Sequence, residues 1–435
     1  MLLQTVTVIG ANGTMGTNIS GLFAALGGCC VYLVSRRLED AQEAAQRAAL
    51  AMRDETILSR MVPVDYSDLP KCVPLSDLVF ESVSEDSALK KSIIGKISGL
   101  LREDCLVATG TSCLSVTDLA QGLPQVLQKR FFGIHFFNPP ATLTLCELIT
   151  TKFSDKKLAC RVKQYLQEVL VRQVIKVQDI PAFLSNRIGI YCLNRAAWDV
   201  EANENRGGID YLDNILGGFT GRTMPPLKTL DFIGLDVYRS ITEYVSAQEN
   251  GIERTAFVTP PYLMSLIAEG KLGRKTGKGQ YYSWRDKYGE QHTQVYDFLS
   301  RGYREGRQYT FPFAEKMMKQ IHLGAYEQAF RTLVGDDSFE GALCMEHLLR
   351  YVLYALAYGY RIGCTTVDID AAMAEGYNWC PPLAMLMLLG GKKNFCALVK
   401  ERLCALDVET IDLERLMSFA VPSTYDWRRY IKAKK

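Results

Sequence analysis

The sequence predicts an α/β, doubly wound N-terminal domain followed by two all-α domains related by an internal repeat. Three observations support this. A β-branched run near the N-terminus opens directly into a glycine turn and an apolar helical pattern. Strand-like and helix-like stretches then alternate to about residue 180. Beyond that the periodicity becomes helical, and one helical pattern occurs twice. A chain of 435 residues is also too long for one ordinary core.

Thr5-Val-Thr-Val-Ile-Gly10 reads as a buried parallel strand. The turn Gly10-Ala11-Asn12-Gly13-Thr14-Met15-Gly16 follows, and then residues 17–26 with apolar side chains at helical spacing. Strand, glycine turn and helix together make a phosphate cradle: glycines let the backbone approach, and the helix N-terminus faces the anion. The spacing G-x-x-G-x-x-G is one residue longer in its first step than the usual dinucleotide fingerprint. These features predict a Rossmann-type domain with Gly10, Asn12, Gly13, Thr14, Met15 and Gly16 at the cofactor; a plain glycine turn is the alternative.

The second strand, Cys30-Val-Tyr-Leu-Val34, ends in Ser35-Arg36-Arg37. An NAD-selective site usually has an acidic residue here, accepting hydrogen bonds from the ribose hydroxyls. Serine followed by two arginines removes the carboxylate and offers cations to a 2′-phosphate, which favours NADP over NAD. One amphipathic helix, Leu38–Met52, is expected next. Asp77-Leu-Val-Phe-Glu81-Ser-Val-Ser-Glu85 is an apolar strand with a polar tip, 87–101 is helical, and Cys105-Leu-Val-Ala-Thr-Gly110 is a further strand tipped by Thr111-Ser112. Parallel strands carry function at their C-terminal ends, which places Glu85 well.

His135 lies in the strand Phe131-Phe-Gly-Ile-His-Phe-Phe-Asn138, halted by Pro139-Pro140. In the next strand the period-two rule puts Leu143, Leu145, Glu147 and Ile149 on one face. A carboxylate among aliphatic side chains needs a partner, and a histidine on the adjacent strand would serve. Such a pair fixes the imidazole tautomer and makes a general base. Spacing alone equally allows a satisfied core histidine and an edge glutamate facing water.

These motifs resemble the 3-hydroxyacyl-CoA dehydrogenase family over residues 6–284. Thr111-Ser112-Cys113-Leu114-Ser115 is similar to the family's Thr-Ser-Ser-Leu-Ser segment, and Gly133-Ile-His-Phe-Phe-Asn-Pro139 to its histidine strand. Asp179-Ile-Pro181 through Asn186-Arg187 resembles a helix start in the family, and Gly273-Arg-Lys-Thr-Gly-Lys-Gly279 its closing loop. The resemblance implies hydride transfer between NAD(P) and the 3-hydroxyl of an acyl-CoA. It implies His135 as base, Glu147 orienting it, and Ser112 and Asn186 hydrogen-bonding the substrate oxygen or thioester carbonyl. It also implies Glu85 and Lys90 on the cofactor side. Gly110 stands where the family usually carries Asn. The segment between Arg37 and Asp77 is shorter than the family's helical hairpin, which resembles a clamp for CoA. A free 3-hydroxy acid or a carrier-bound acyl group is therefore an alternative substrate, and a dinucleotide-binding sensor without turnover an alternative function.

In the second half, Tyr191 to Ile209-Asp210 and Tyr351 to Ile369-Asp370 have identical spacing. Pro225-Pro-Leu and Gly234 are echoed by Pro381-Pro-Leu and Gly390. This predicts a dinucleotide domain over 1–180, helical copies over 181–285 and 325–435, and a linker rich in charge, Gly and Tyr over 286–324. Two copies in one chain allow a monomer with an internal pseudo-dimer, a homodimer being the alternative. The second copy has no histidine–glutamate pair and no nucleotide motif, so no chemistry is assigned to it. The basic loop of Lys271, Arg274, Lys275 and Lys278 reads as a solvated turn, and the basic 432–435 stretch as a solvated tail.

The formal charge of +2 gives no polyanion bias, so nucleic acid is not expected as a partner. No run approaches the ~20 apolar residues of a membrane span, and no signal peptide is visible. Thirteen cysteines without Cys-x-x-Cys or Cys/His metal spacing fit small hydrophobes in a reducing cytoplasm, with no metal expected.

Overall fold

The computed structural model describes residues 3–404 and 411–432, so 433–435 of the basic tail lie outside the described residues. The chain divides into two compact units at Phe183/Leu184, three residues beyond the expected boundary.

The first unit is built on an eight-stranded sheet of order β3-β2-β1-β4-β5-β6-β7-β8. In chain order its elements are β1 (Thr5–Ile9), α1 (Thr14–Ala25), β2 (Cys30–Ser35), α2 (Leu38–Met52), β3 (Met61–Asp65), β4 (Leu78–Glu81) and α3 (Ser87–Ser98). There follow β5 (Leu106–Thr109), β6 (Phe131–Phe136), β7 (Leu145–Thr150), α4 (Lys156–Glu168) and β8 (Gln173–Gln178). The central strands are mainly apolar because helices cover both faces; Val6, Val8, Val31, Leu33, Phe80 and Val107 are all inaccessible to solvent. Only α2 and a 3₁₀ turn, Glu55–Arg60, separate β2 from β3, as the single predicted helix requires.

One expectation is corrected. The sheet is not wholly parallel: β7 runs antiparallel to β6, and β8 parallel to β7. The β6–β7 connection is residues 137–144, eight in all and carrying Pro139-Pro140. A parallel crossover needs a dozen or more residues, so this connection can only return the chain alongside β6. Leu143, placed on the Glu147 face by alternation, falls before β7 begins.

The second unit opens with α5 (Ser185–Ala202), α6 (Ile209–Ile215), α7 (Pro226–Ile233) and α8 (Leu235–Gln248). A later series follows the same order: α9 (Phe339–Arg361), α10 (Thr366–Ala371), α11 (Pro382–Leu388) and α12 (Gly391–Arg402). In both series the third helix opens on a proline pair, and a buried carboxylate receives its first N–H groups. Asp213 accepts from Leu227 at 2.9 Å, and Asp370 from Leu383 at 3.0 Å.

The two series do not form separate domains. They share one core, with Tyr191 stacked on Tyr354 at 3.7 Å and Arg187, fully buried, bonded to Tyr354 Oη at 3.0 Å. Nor is 286–324 a bare linker. It holds β10 (Gln291–Asp297) and β11 (Gly302–Glu305), which with β9 (Tyr281–Arg285) make an antiparallel sheet, and the helix Pro312–His322. The cross-strand contact of Trp284 on His292, with Tyr282 stacked on Trp284 along β9, favours strands there despite the charge content. Among the described residues no single helix is long and apolar enough to cross a membrane.

Candidate active site

The glycine turn after β1 is as tight as its sequence implies. Gly10 has φ of 84°, and a Cβ there would meet the Ser82 carbonyl oxygen at 2.6 Å. A Cβ on Gly16 would meet the Gly10 oxygen at 2.3 Å, so the first turn of α1 lies directly on the loop. Helix α1 starts after Gly13 with no side-chain cap and no acidic residue in its first turn. Its leading N–H groups, on Thr14, Met15 and Gly16, are thus left to an outside acceptor. The Asn12 carbonyl accepts from Arg47 at 2.8 Å, tying the loop to α2. This cradle fits a dinucleotide pyrophosphate.

At the tip of β2, Ser35 is 1% exposed and its hydroxyl has no hydrogen-bond partner. Of the two arginines beside it, Arg37 is ion-paired with Asp40. Arg36 is exposed, so it is the more available cation for a ribose substituent.

The tips of β4 and β5 form a second cluster. Glu85 Oε1 accepts from the Thr111 hydroxyl, from the Ser112 N–H at 2.7 Å and from the Cys113 N–H at 3.1 Å. Burial works to raise the Glu85 carboxyl, but the Lys90 ammonium and these donors outweigh it and hold the group below its ordinary range. Glu85 therefore organises the loop that carries Ser112.

Lys90, expected to line the cofactor side, is 1% exposed and turned inward. It donates to Glu81 Oε1 at 2.9 Å and lies 3.4 Å from Glu85 Oε2. Burial alone would discharge it, yet the two carboxylates hold its affinity for the proton above that of a free lysine. Sequence reading missed Glu81, which is fully buried and also accepts from Thr109 at 2.7 Å. Its signal was a carboxylate closing an apolar strand. Asp179 was missed as a loop anchor: it accepts from the N–H groups of Val116 and Thr117 at 2.8 and 2.7 Å. The neighbouring Cys113 thiol is pushed well up by burial and by Glu85, so it stays protonated.

The strands β6 and β7 place His135 directly opposite Glu147. Nδ1 and Oε2 are 2.7 Å apart, with His135 4% exposed and Glu147 fully buried. With Nδ1 donating to the carboxylate, Nε2 is the ring's acceptor. Phe137, at 4.6 Å between ring centroids, and Phe183, at 5.9 Å, pack the imidazole and restrict its rotation. Within the second unit, Asn186 lies in the first turn of α5, 7% exposed, with Oδ1 accepting from Tyr377 Oη at 2.9 Å.

Sheet order and glycine cradle define the first unit as a nicotinamide dinucleotide-binding domain. Two family models match in succession: the 3-hydroxyacyl-CoA dehydrogenase NAD binding domain over residues 5–180 and the C-terminal domain of the same enzymes over 183–283. The 3-hydroxybutyryl-CoA dehydrogenase of Bradyrhizobium diazoefficiens is 31% identical, over 65% of this chain and 96% of its own length. The chain belongs to the 3-hydroxyacyl-CoA dehydrogenase family.

It spans about half the length of two longer curated relatives, from Rickettsia felis and Bacillus subtilis (55% and 42%). The crystal structure of (S)-3-hydroxybutyryl-CoA dehydrogenase from Ralstonia eutropha, 27% identical, covers 64% of this chain and 98% of its own, with a TM-score of 0.55. That of 3-hydroxybutyryl-CoA dehydrogenase from Escherichia coli covers 98% of this chain and 97% of its own, with a TM-score of 0.68 at 21% identity, and shows a shared fold over almost the whole length.

Proposed function

We propose that this chain interconverts 3-hydroxyacyl-CoA and 3-oxoacyl-CoA, with His135 as the general base and acid. The observation that carries this reading is the buried His135–Glu147 pair at 2.7 Å, in the same sheet as the glycine cradle. The names of the relatives supply the substrate class.

Gly10, Asn12, Gly13, Thr14, Met15 and Gly16 would hold the pyrophosphate of the dinucleotide, which when bound accepts or supplies the hydride. In the oxidation direction His135 Nε2 takes the proton of the 3-hydroxyl. Glu147 holds the ring through Nδ1 and stabilises the imidazolium that forms. In reduction the imidazolium returns the proton. Ser112 and Asn186 donate to the substrate oxygen or thioester carbonyl, where negative charge develops. Glu85 and Lys90 act behind Ser112, fixing its loop. Ser35, Arg36 and Arg37 favour the 2′-phosphate of NADP.

We also read the two helical series of the second unit as a duplication. The shared order of elements and the paired roles of Asp213 and Asp370 support this, as does the common core, and such a core favours a monomer. Light scattering that finds an obligate dimer overturns the monomer.

The decisive experiment follows absorbance at 340 nm with acetoacetyl-CoA and either NADPH or NADH, for wild type and His135→Ala. Oxidation of NADPH that the variant loses supports the reaction, the base and the cofactor preference together. Turnover with NADH alone overturns only the preference. Tight dinucleotide binding without turnover overturns the acyl-CoA reading.

A further inference from the structure

We propose that a cleft of about 430 Å³ within the second unit, between α9 and the helix Leu413–Phe419, binds an aliphatic carboxylate. The chain of the ligand lies among aliphatic side chains and its headgroup at Arg415 and Arg361. Neither the catalytic pair nor the dinucleotide enters this inference, so it stands or falls apart from the reaction proposed above.

The size of the cleft is the first observation. Close-packed interiors hold few voids larger than a water molecule, whereas small-molecule sites occupy about 300–1,000 Å³. Much of the lining is aliphatic. Leu353 and Ala357 lie one turn apart on α9, Leu403 and Leu416 come from the C-terminal segment, and Ile252 and Ala256 from the helix Gly251–Ala256. Ile252 is 58% exposed, so apolar surface in the cleft is left open to solvent.

The wall is too well braced to collapse into this space. Tyr191, Tyr354 and Tyr358 form a ladder of near-parallel rings, with centroids 3.7 and 5.8 Å apart. Arg187, fully buried, pins the ladder: it donates to Tyr354 Oη at 3.0 Å and packs on the Tyr358 ring at 5.0 Å. Glu249 and Glu253, each 2.7 Å from its guanidinium, hold it in turn. Ala256 and Ala357 offer the cleft only a methyl group each.

The same contacts select the ligand. A nucleobase needs an open aromatic face to stack on, and here the faces are engaged. Tyr354 is stacked on Tyr191 and against Tyr358, and Tyr358 carries Arg187 and also Arg361 at 4.8 Å. Tyr360 meets Phe419 at 5.2 Å and the Arg415 guanidinium at 5.0 Å. An aliphatic chain requires only apolar area, which the leucines, alanines and Ile252 supply.

Charge selects the headgroup. Two carboxylates line the cleft and both are engaged: Glu253 by Arg187 and by Tyr354 Oη at 2.9 Å, Asp412 as a helix cap accepting from the Arg415 N–H at 3.0 Å. Arg350 is bonded to Glu346 at 2.8 Å. Arg361 reaches Glu253 only at 3.4 Å and its side chain is 48% exposed. Arg415 is exposed, and among the described residues no carboxylate is ion-paired with its guanidinium. The cations least committed within the fold thus sit beside the aliphatic lining, which suits an anion carried on a hydrocarbon chain.

The test is calorimetric titration of the full chain with hexanoate, octanoate and decanoate, each below its micelle-forming concentration, and with decanol. One molecule of decanoate should bind per chain and raise the thermal midpoint. Affinity should rise about fourfold per added methylene, the fold-change for burying one CH₂. Arg415→Gln should weaken decanoate up to about fivefold, the range of an exposed ion pair, and leave decanol within about twofold. Ala357→Phe, which fills the cleft, should abolish binding of both. Should that variant fail to fold, the chain-length series and Arg415→Gln still decide. Absence of saturable binding, an affinity independent of chain length, or decanoate binding unchanged by Arg415→Gln overturns the inference. Displacement of decanoate by acetoacetyl-CoA overturns it as well, since the acid would then occupy the acyl-substrate site. All four results leave the proposed reaction untouched, which the 340 nm assay tests separately.

Discussion

Replacing Glu147 with Gln tests the proposed catalytic role of the His135–Glu147 pair directly. The two side chains are nearly isosteric, so the buried site stays filled and one hydrogen-bonding group remains near His135 Nδ1. What is lost is charge. The Nδ1···Oε2 contact of 2.7 Å, with His135 4% exposed and Glu147 fully buried, is a charge-assisted bond in a low-dielectric setting. Hydrogen bonds to charged groups contribute about 1.5–3 kcal/mol. At about 1.36 kcal/mol per factor of ten this is roughly 10- to 150-fold in rate. An amide also allows Nδ1 to become the acceptor and Nε2 the donor, which removes the base. In comparable histidine–carboxylate pairs that error brings the loss to about 10⁴-fold. The expected fall in kcat is therefore between about 10 and 10⁴, measured as dinucleotide oxidation at 340 nm with saturating acetoacetyl-CoA. Dinucleotide affinity and the thermal midpoint should be nearly unchanged, since neither the cradle nor the packing is touched. A kcat within about fivefold of wild type would refute the argument, and the pair would then be a satisfied piece of core.

Other expectations follow from buried charges. Lys90→Met leaves Glu81 uncompensated at full burial, so urea denaturation should show a loss of about 3–5 kcal/mol; a loss under 1 kcal/mol contradicts the pairing. Burial raises Asp370 to about 6 against the donors Ser423 and Leu383 N–H. The folded value lies above the unfolded one, so its contribution is full below about pH 4 and is lost as pH rises through 6. The two-unit difference corresponds to about 3 kcal/mol. Wild type should therefore lose about that much stability relative to Asp370→Asn between pH 4 and 7, and parallel urea curves would contradict it. At the β2 tip, Arg36→Ala should weaken NADPH about tenfold and leave NADH unchanged in fluorescence titrations. Asp40→Ala frees Arg37 from its ion pair and should tighten NADPH alone.

Much of the first unit was legible because its signals are local. A β-branched run followed by a glycine turn has few other solutions, although α1 begins at Thr14, three residues before the helical stretch 17–26 read from the sequence. The helix Leu38–Met52 was read to the residue, since its alanine stripe at helical spacing has nothing to compete with it. The direction of β7 was not read from alternation, which is the same in parallel and antiparallel strands; only the length of the 137–144 connection decides it. The 286–324 stretch was read as a linker because charge and glycine suggest one, whereas the pairing of its His292 with Trp284 forms only once the strands are in register.

For the site the division is similar. The sequence pointed to His135 and Glu147, which the structure brings within 2.7 Å, and to Glu85 and Ser112, which it joins by a hydrogen bond, because the motifs that carry them are short. It misplaced Lys90, since a lysine on a helix carries no mark of which way it points. Burial against Glu81 requires α3 to lie across the ends of β4 and β5. It was silent about the contact between Tyr377 and Asn186, 191 residues apart in the chain. Composition, periodicity and the glycine spacing thus determined that this is a dinucleotide-binding α/β unit followed by helices. Which charges neutralise one another, and which aromatic reaches which amide, was decided by tertiary structure alone. Those energies depend on distances between residues remote in sequence, and no local pattern encodes them.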